Sequence, residues 1–297
     1  MAGRPENGSP AARLRTACAA DRLLDPTRDP IRLPGACPGV ALADIADHRH
    51  ALDWFTAEHA VLLGTVRRAS ADRFYAHTWG LAWAMTTFHQ RRVLTRDWVG
   101  THVIALDAVG QLAGQDPPAA TLADLADIRR ELGRAHITLG RHAEARVHLG
   151  QALQLYTDPG DLAGQAHTHR YLALLSEQEG RLQEAVDHNQ RSLDVFPRRR
   201  APGRRGPRAW RARLVPGVAP GLGPGAEPLP AGAAVAPGPR QLSRELGDRY
   251  FEADILANLG EAHHAAGDLA AAVGAWQSAL GVSEEACVPR WNGPDAD

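Results

Sequence analysis

The chain has 297 residues, 44% of them hydrophobic and 5% aromatic, and a formal net charge of -1. That length allows one long domain or two ordinary ones, and the near-neutral charge removes any global pull toward nucleic acid or an acidic membrane surface. All 33 basic residues are arginine, so no G-x-x-x-x-G-K-[ST] loop can supply the lysine that reaches the β- and γ-phosphates, and no Schiff-base lysine exists.

Residues 1–40 read as a poorly ordered N-terminal segment. Met1 to Pro10 is polar and lacks the apolar stretch of a secretory signal. Nowhere does an apolar run approach the roughly 18 residues of a membrane span. Cys18, Cys37 and Cys287 lie far apart, which suits a reducing cytoplasm and gives no zinc spacing. Residues 41–125 read as a helical junction. It holds a strongly apolar helix over 51–69, a second over 74–92 rich in Trp79, Trp83 and Phe88, and a third over 97–112. The pair 74–112 looks like a degenerate helical hairpin, with Ala105-Leu106 echoing Ala152-Leu153. Val93 stands where a turn glycine is expected. The bulky aromatics are expected to form a cap or junction at the start of a solenoid.

Two units over 126–196 repeat at a period of forty. Leu132-Gly133, Gly140, Glu144-Ala145 and Ala152-Leu153 return as Leu172-Ala173, Gly180, Glu184-Ala185 and Ser192-Leu193. A third copy at 241–287 has Leu259-Gly260, Gly267, Ala271-Ala272 and Ala279-Leu280. Glycine at 140, 180 and 267 suits the left-handed residue that closes a helix. Small residues at 133, 145 and 152 let helices approach closely. Ala145, Leu149, Ala152 and Leu153 share one face by helical spacing. These residues resemble the tetratricopeptide repeat, whose usual period is about 34. The six extra residues are expected between hairpins, at Asp158-Pro159-Gly160-Asp161 and Glu245-Leu246-Gly247-Asp248. The fold class that follows is all-α, a tetratricopeptide-like helical-hairpin solenoid interrupted by a Pro/Gly/Arg-rich disordered segment.

That segment is 197–240. It holds ten of the 21 prolines, with Glu227 its one acidic residue, and eight arginines crowd between Arg198 and Arg213. Proline at this density opposes helix. Three readings stand: a disordered linker, a basic nucleic-acid-binding arm, and a repeat read out of frame. For the last, one allowed codon string for 223–234, shifted by one base, encodes Asp-Pro-Glu-Arg-Ser-Leu-Ser-Arg-Gln-Ala-Leu, which ends like Gln151-Ala152-Leu153. The flanking copies also stand two periods plus seven residues apart. Residues 288–297 read as a tail.

A second resemblance rests on Ala20-Asp21-Arg22-Leu23-Leu24-Asp25-Pro26, Ala51-Leu52-Asp53-Trp54-Phe55, Ala57-Glu58-His59-Ala60, Trp79-Gly80-Leu81-Ala82-Trp83 and Gly247-Asp248-Arg249-Tyr250. Together, over about 14–196 and 243–285, these resemble the C-terminal half of actinobacterial antibiotic-regulatory-protein class regulators, signal-transducing NTPases with tetratricopeptide tails. The resemblance implies a sensor or docking arm. The DNA-binding and nucleotide-binding parts of that family are not carried over, because no Walker lysine exists and the stretch before residue 14 is too short for a DNA-binding domain. The expectation is a truncated, split or degraded regulator product.

No catalytic, cofactor or metal site is expected. The histidine clusters (His48 and His50, His142 and His148, His167 and His169, His263 and His264) come without an HExxH motif or cysteine pair, and His136 and His263 fall at repeat positions that take an aromatic. There is no G-x-S-x-G elbow; Ser176, Ser192 and Ser243 occupy repeat positions, and Glu177 and Glu179 read as solvated surface. The candidate partner-binding residues are outward positions of the first helices, on the concave face of the stack. They are Asp127, Arg130 and Arg134, then His167, Arg170, Leu174 and Glu177, then Asp254, Glu261 and His264. The expected ligand is a protein or peptide, with no cofactor, no nucleotide, no membrane and no nucleic acid. The competing reading is a nucleic-acid-contacting regulator fragment that uses Arg198 to Arg213.

Overall fold

The alanine- and leucine-rich periodic stretches form α-helices in the computed structural model, which describes residues 10–26, 28, 31, 43–113, 119–157, 160–196 and 239–287. In chain order they are α1 (Pro10–Leu24), α2 (His48–Ala71), α3 (Tyr75–Ala84), α4 (Thr86–Arg91), α5 (Thr95–Ala113), α6 (Ala119–Thr138), α7 (His142–Thr157), α8 (Leu162–Gln178), α9 (Leu182–Val195), α10 (Pro239–Ala265) and α11 (Leu269–Cys287). The described residues contain no strand. The fold is an all-α solenoid of helical hairpins: α6 pairs with α7, α8 with α9 and α10 with α11.

One backbone device closes every hairpin. The turn residue is left-handed; its N–H donates to the carbonyl three residues back, and the next N–H donates to the carbonyl five back. Gly140 (φ 69°) donates to Ile137 at 2.9 Å, and Arg141 to His136 at 2.9 Å. Gly180 and Gly267 repeat the pattern at φ 73° and 87°. This is the Schellman arrangement, which satisfies carbonyls that a helix end leaves free. The same turn follows α4, where Val93 (φ 56°) bonds to Gln90 and Leu94 to His89, and follows α2, where Arg73 has φ 61°. The degenerate hairpin 74–112 therefore turns as its glycine-bearing successors do.

Small residues decide how closely each pair packs. A Cβ on Gly133 would stand 2.5 Å from Leu149 Cγ, and one on Gly260 would stand 2.3 Å from Trp276 Cδ1. Ala145, Ala152, Ala185 and Ala272 are fully buried. The Ser192 hydroxyl, in the place of Ala152, donates to the Ala166 carbonyl at 2.7 Å, so its burial leaves no orphaned polar group.

Three sequence expectations change. Within 1–40, the stretch 10–24 is an ordered helix: Leu14, Ala17, Ala20 and Leu24 pack against Phe55, Leu62, Leu81 and Phe88. Glu245 to Asp248 is no connector but lies inside α10, with Pro239 at its first turn, where a missing N–H costs nothing. The chain passes from α7 to α8 at the expected connector, Asp158 to Asp161, but those four residues do not hold the excess over the usual period, which lies mostly in the helices. In that connector, Asp161 caps α8 by accepting from the Gly164 N–H at 2.9 Å.

The apolar core runs from the junction into the stack. Trp79 and Trp83 pack with Ala105, Val109, Ile128 and Leu132, which seals the junction onto the first repeat. Leu193 packs with Ile255, Leu256 and Leu259, so the last hairpin docks directly on the 166–196 copy. Burying a leucine in this way stabilises by about 1.5–3 kcal/mol. The Arg-rich stretch from Arg198 to Arg213, and 197–238 as a whole, lie outside the described residues.

Candidate docking face

Helices α6, α8 and α10 are the first members of successive hairpins, and i, i+3, i+4, i+7 spacing places each set of candidates along one side of its helix. On α6, Arg130 pairs with Asp127 at 3.1 Å, and Asp127 also accepts from the Tyr156 hydroxyl at 2.7 Å. Arg134 lies 5.6 Å from the Trp98 ring centroid and 5.3 Å from that of Tyr171. On α8, Arg170 approaches the same Tyr171 ring at 5.5 Å and ion-pairs with Asp254 of α10. His167 lies against Phe251 of α10, ring centroids 4.0 Å apart. Asp127, Arg130, Arg134, His167, Arg170 and Asp254 thus fall along a strip centred on Tyr156, Tyr171 and Phe251.

The remaining candidates divide. Leu174 is exposed on α8 beyond Tyr171. Glu177 is half-buried. Burial raises its pKa, and the nearby Glu261 carboxylate adds to the rise. His264 is not brought to the strip; its ring lies tilted beside Trp276 of its own hairpin, centroids 5.7 Å apart.

Two expectations need correction. Arg130 is not an outward, solvated side chain, since its side chain is only 12% exposed. Its guanidinium stands over the Tyr156 ring, 5.7 Å from the centroid. Glu177 and Glu179 are not a solvated pair either. Glu179 bridges Arg146 of the preceding hairpin and Arg181.

The sequence reading missed Glu131, Arg28 and the rings. Glu131 is buried one residue after Arg130. Burial pushes its pKa up, but the guanidinium groups of Arg134, Arg130 and Arg28 outweigh that and hold it below the usual carboxylate range. Arg28 stacks 3.7 Å over the Trp83 ring, donates to the Trp83 carbonyl at 2.8 Å and pairs with Asp21 at 3.2 Å. His102 is wholly buried near Glu131; burial lowers its pKa to about 4. An acidic residue inside an apolar helix register was the available signal, since a buried carboxylate needs cationic partners.

The histidines pair off across helices. His59 and His89 nitrogens lie 3.2 Å apart, and those of His169 and His188 3.1 Å apart. The His136 and His148 rings stack at 5.5 Å. Among the described residues, no group of three or more His, Cys, Asp or Glu is placed to hold a metal. No helix among them is long and apolar enough to cross a membrane.

Residues 119–198 match the tetratricopeptide repeat family. The chain contains tetratricopeptide repeats. Such repeats are protein–protein interaction modules and typically non-enzymatic scaffolds. No curated protein matches the chain. Among solved structures it is similar to BtubC (BKLC) from P. vanneervenii, at a TM-score of 0.40 and 16% identity over 83% of this chain and 96% of that one.

Proposed function

We propose that the strip along α6, α8 and α10 docks a segment of a partner protein. The observation that carries this reading is the sharing of Tyr171: Arg134 of α6 and Arg170 of α8 both lie over its ring, and Arg170 continues to Asp254 of α10. The arginines are thereby held in place before a partner arrives, which lowers the ordering cost of binding. Guanidinium groups beside exposed Leu174 favour a segment that carries both carboxylates and apolar side chains.

The finer reading is a docking tail related to antibiotic-regulatory-protein class regulators, acting in the cytoplasm. Its support is the junction: Trp79 and Trp83, from the segment with that resemblance, pack on Ile128 and Leu132 of the first repeat.

A peptide-display selection against the folded chain tests the docking role. Selected peptides are expected to carry acidic and apolar side chains, to lose binding at least tenfold to a Leu174→Asp variant, and to bind a Glu261→Arg variant more tightly than the parent, with circular dichroism unchanged in both. Binders indifferent to both substitutions would overturn it.

A further inference from the structure

Helix α11 carries an apolar line that its counterparts keep covered. Leu269, Val273 and Leu280 follow each other at spacings of four and seven, positions of one heptad line on a helix that seats against another helix, while Trp276 between them turns its ring onto Gly260 of its own hairpin. The equivalent line on α9 is Leu182, Val186, Asn189 and Leu193. There, α10 covers it: Val186 and Leu193 join the cluster with Ile255 and Leu256, and Leu193 is 5% exposed. On α7, Arg146 of the equivalent line reaches forward to Glu179 and Glu184 of the next hairpin. On α11, Leu280, the counterpart of Leu193, is 63% exposed, and Leu269 and Val273 are exposed with it. This is the surface on which each hairpin receives the next.

Charge says what can occupy it. The stretch 269–283 contains no charged residue, whereas α7 carries Glu144 and Arg146, and α9 carries Glu184, Asp187, Arg191 and Asp194. An uncharged heptad line has nothing to repel an identical line approaching by two-fold symmetry. Gly274 and Gly281 flank it, and a Cβ at either would meet nothing within 4 Å, so the helix surface beside the line is low.

We propose that α11 is a self-association face: two copies of the chain meet through antiparallel α11 helices, Leu269, Val273 and Leu280 of one against those of its partner. The face extends the hairpin-to-hairpin interface already used between α9 and α10, and it is separate from the strip on α6, α8 and α10.

Sedimentation velocity across a concentration series tests this on the full chain. The intact chain is expected to shift from monomer to dimer. Leu280→Glu and Val273→Glu should each raise the dissociation constant at least about tenfold, with unchanged circular dichroism because both sites are exposed. A monomer at all concentrations up to about 100 µM overturns the proposal. So does a dimer indifferent to both substitutions, or an open series of larger oligomers, which marks a head-to-tail contact. A chain ending at Cys287 is expected to dimerise as the full chain does; dimerisation appearing only after that truncation would show that 288–297 occupies the face instead.

Discussion

Val93 holds the same left-handed backbone as Gly140, at φ 56° against 69°, and closes its turn with the same pair of hydrogen bonds. A β-branched residue is poorly suited to that region, where L-residues lose roughly 1–2 kcal/mol. Val93 is also 75% exposed, so its side chain contributes little packing in return. Glycine would remove the strain at about 0.5–1 kcal/mol of extra chain entropy. Val93→Gly is expected to stabilise the protein by about 1 kcal/mol, read as a higher urea midpoint, whereas Gly140→Val is expected to lower it.

Close approach at Gly133 makes a second prediction. Its absent Cβ would sit inside the Leu149 side chain, so Gly133→Ala should destabilise by about 1–3 kcal/mol. Gly150, in α7, has nothing within 4 Å of a Cβ, and Gly150→Ala should stabilise by about 0.5–1 kcal/mol. Opposite signs for the same chemical change separate packing from propensity, and thermal unfolding of the two variants reads the contrast.

The paired histidines predict loss of stability in mild acid. Burial pushes His89 down to about 3 and His148 and His169 each to about 4, and a second histidine beside each one adds to the shift. These folded-state values lie below the roughly 6.5 of an unfolded chain. The unfolded state therefore takes up protons first, and the stabilisation present above pH 6.5 falls as pH drops toward 4. Urea midpoints should decline steadily from pH 7 to pH 4.5. His148→Leu should flatten the decline, because it removes one depressed group.

Arg130 predicts a fold effect that could be mistaken for a binding effect. Its removal leaves Asp127 and Glu131 without their nearest cation in a largely buried setting, and Arg130→Ala should cost about 3 kcal/mol. Calorimetry should show a lowered melting temperature before any partner is added. Exposed Leu174 and Glu261 are better probes of docking.

The repeat framework was legible because glycine and alanine carry it openly: Gly140, Gly180 and Gly267 can be read as left-handed turns from identity alone. Val93 and Arg73 make the same turn without that signature, since neighbouring helices impose a conformation their side chains do not announce. Helix α1 was hidden for a related reason. Leu14, Ala17 and Leu24 form an apolar face only once Phe55, Leu81 and Phe88 are brought to it from distant segments. The strip was half legible. Helical spacing found Arg130, Arg134 and Arg170, but their burial on Tyr156 and Tyr171 depends on how one hairpin sits on the next. Glu131 feels the charge of Arg28 across more than a hundred residues of chain, beyond any local pattern.

The central claim is that the strip on α6, α8 and α10 receives a partner. Its most direct measurement is site-specific photo-crosslinking in the producing cell, with the photoreactive residue at Leu174 and, separately, at exposed Gln154 of α7. The account predicts a discrete heavier adduct from position 174 that is absent from position 154. Equal adducts from both positions, or an adduct at 154 alone, would contradict it.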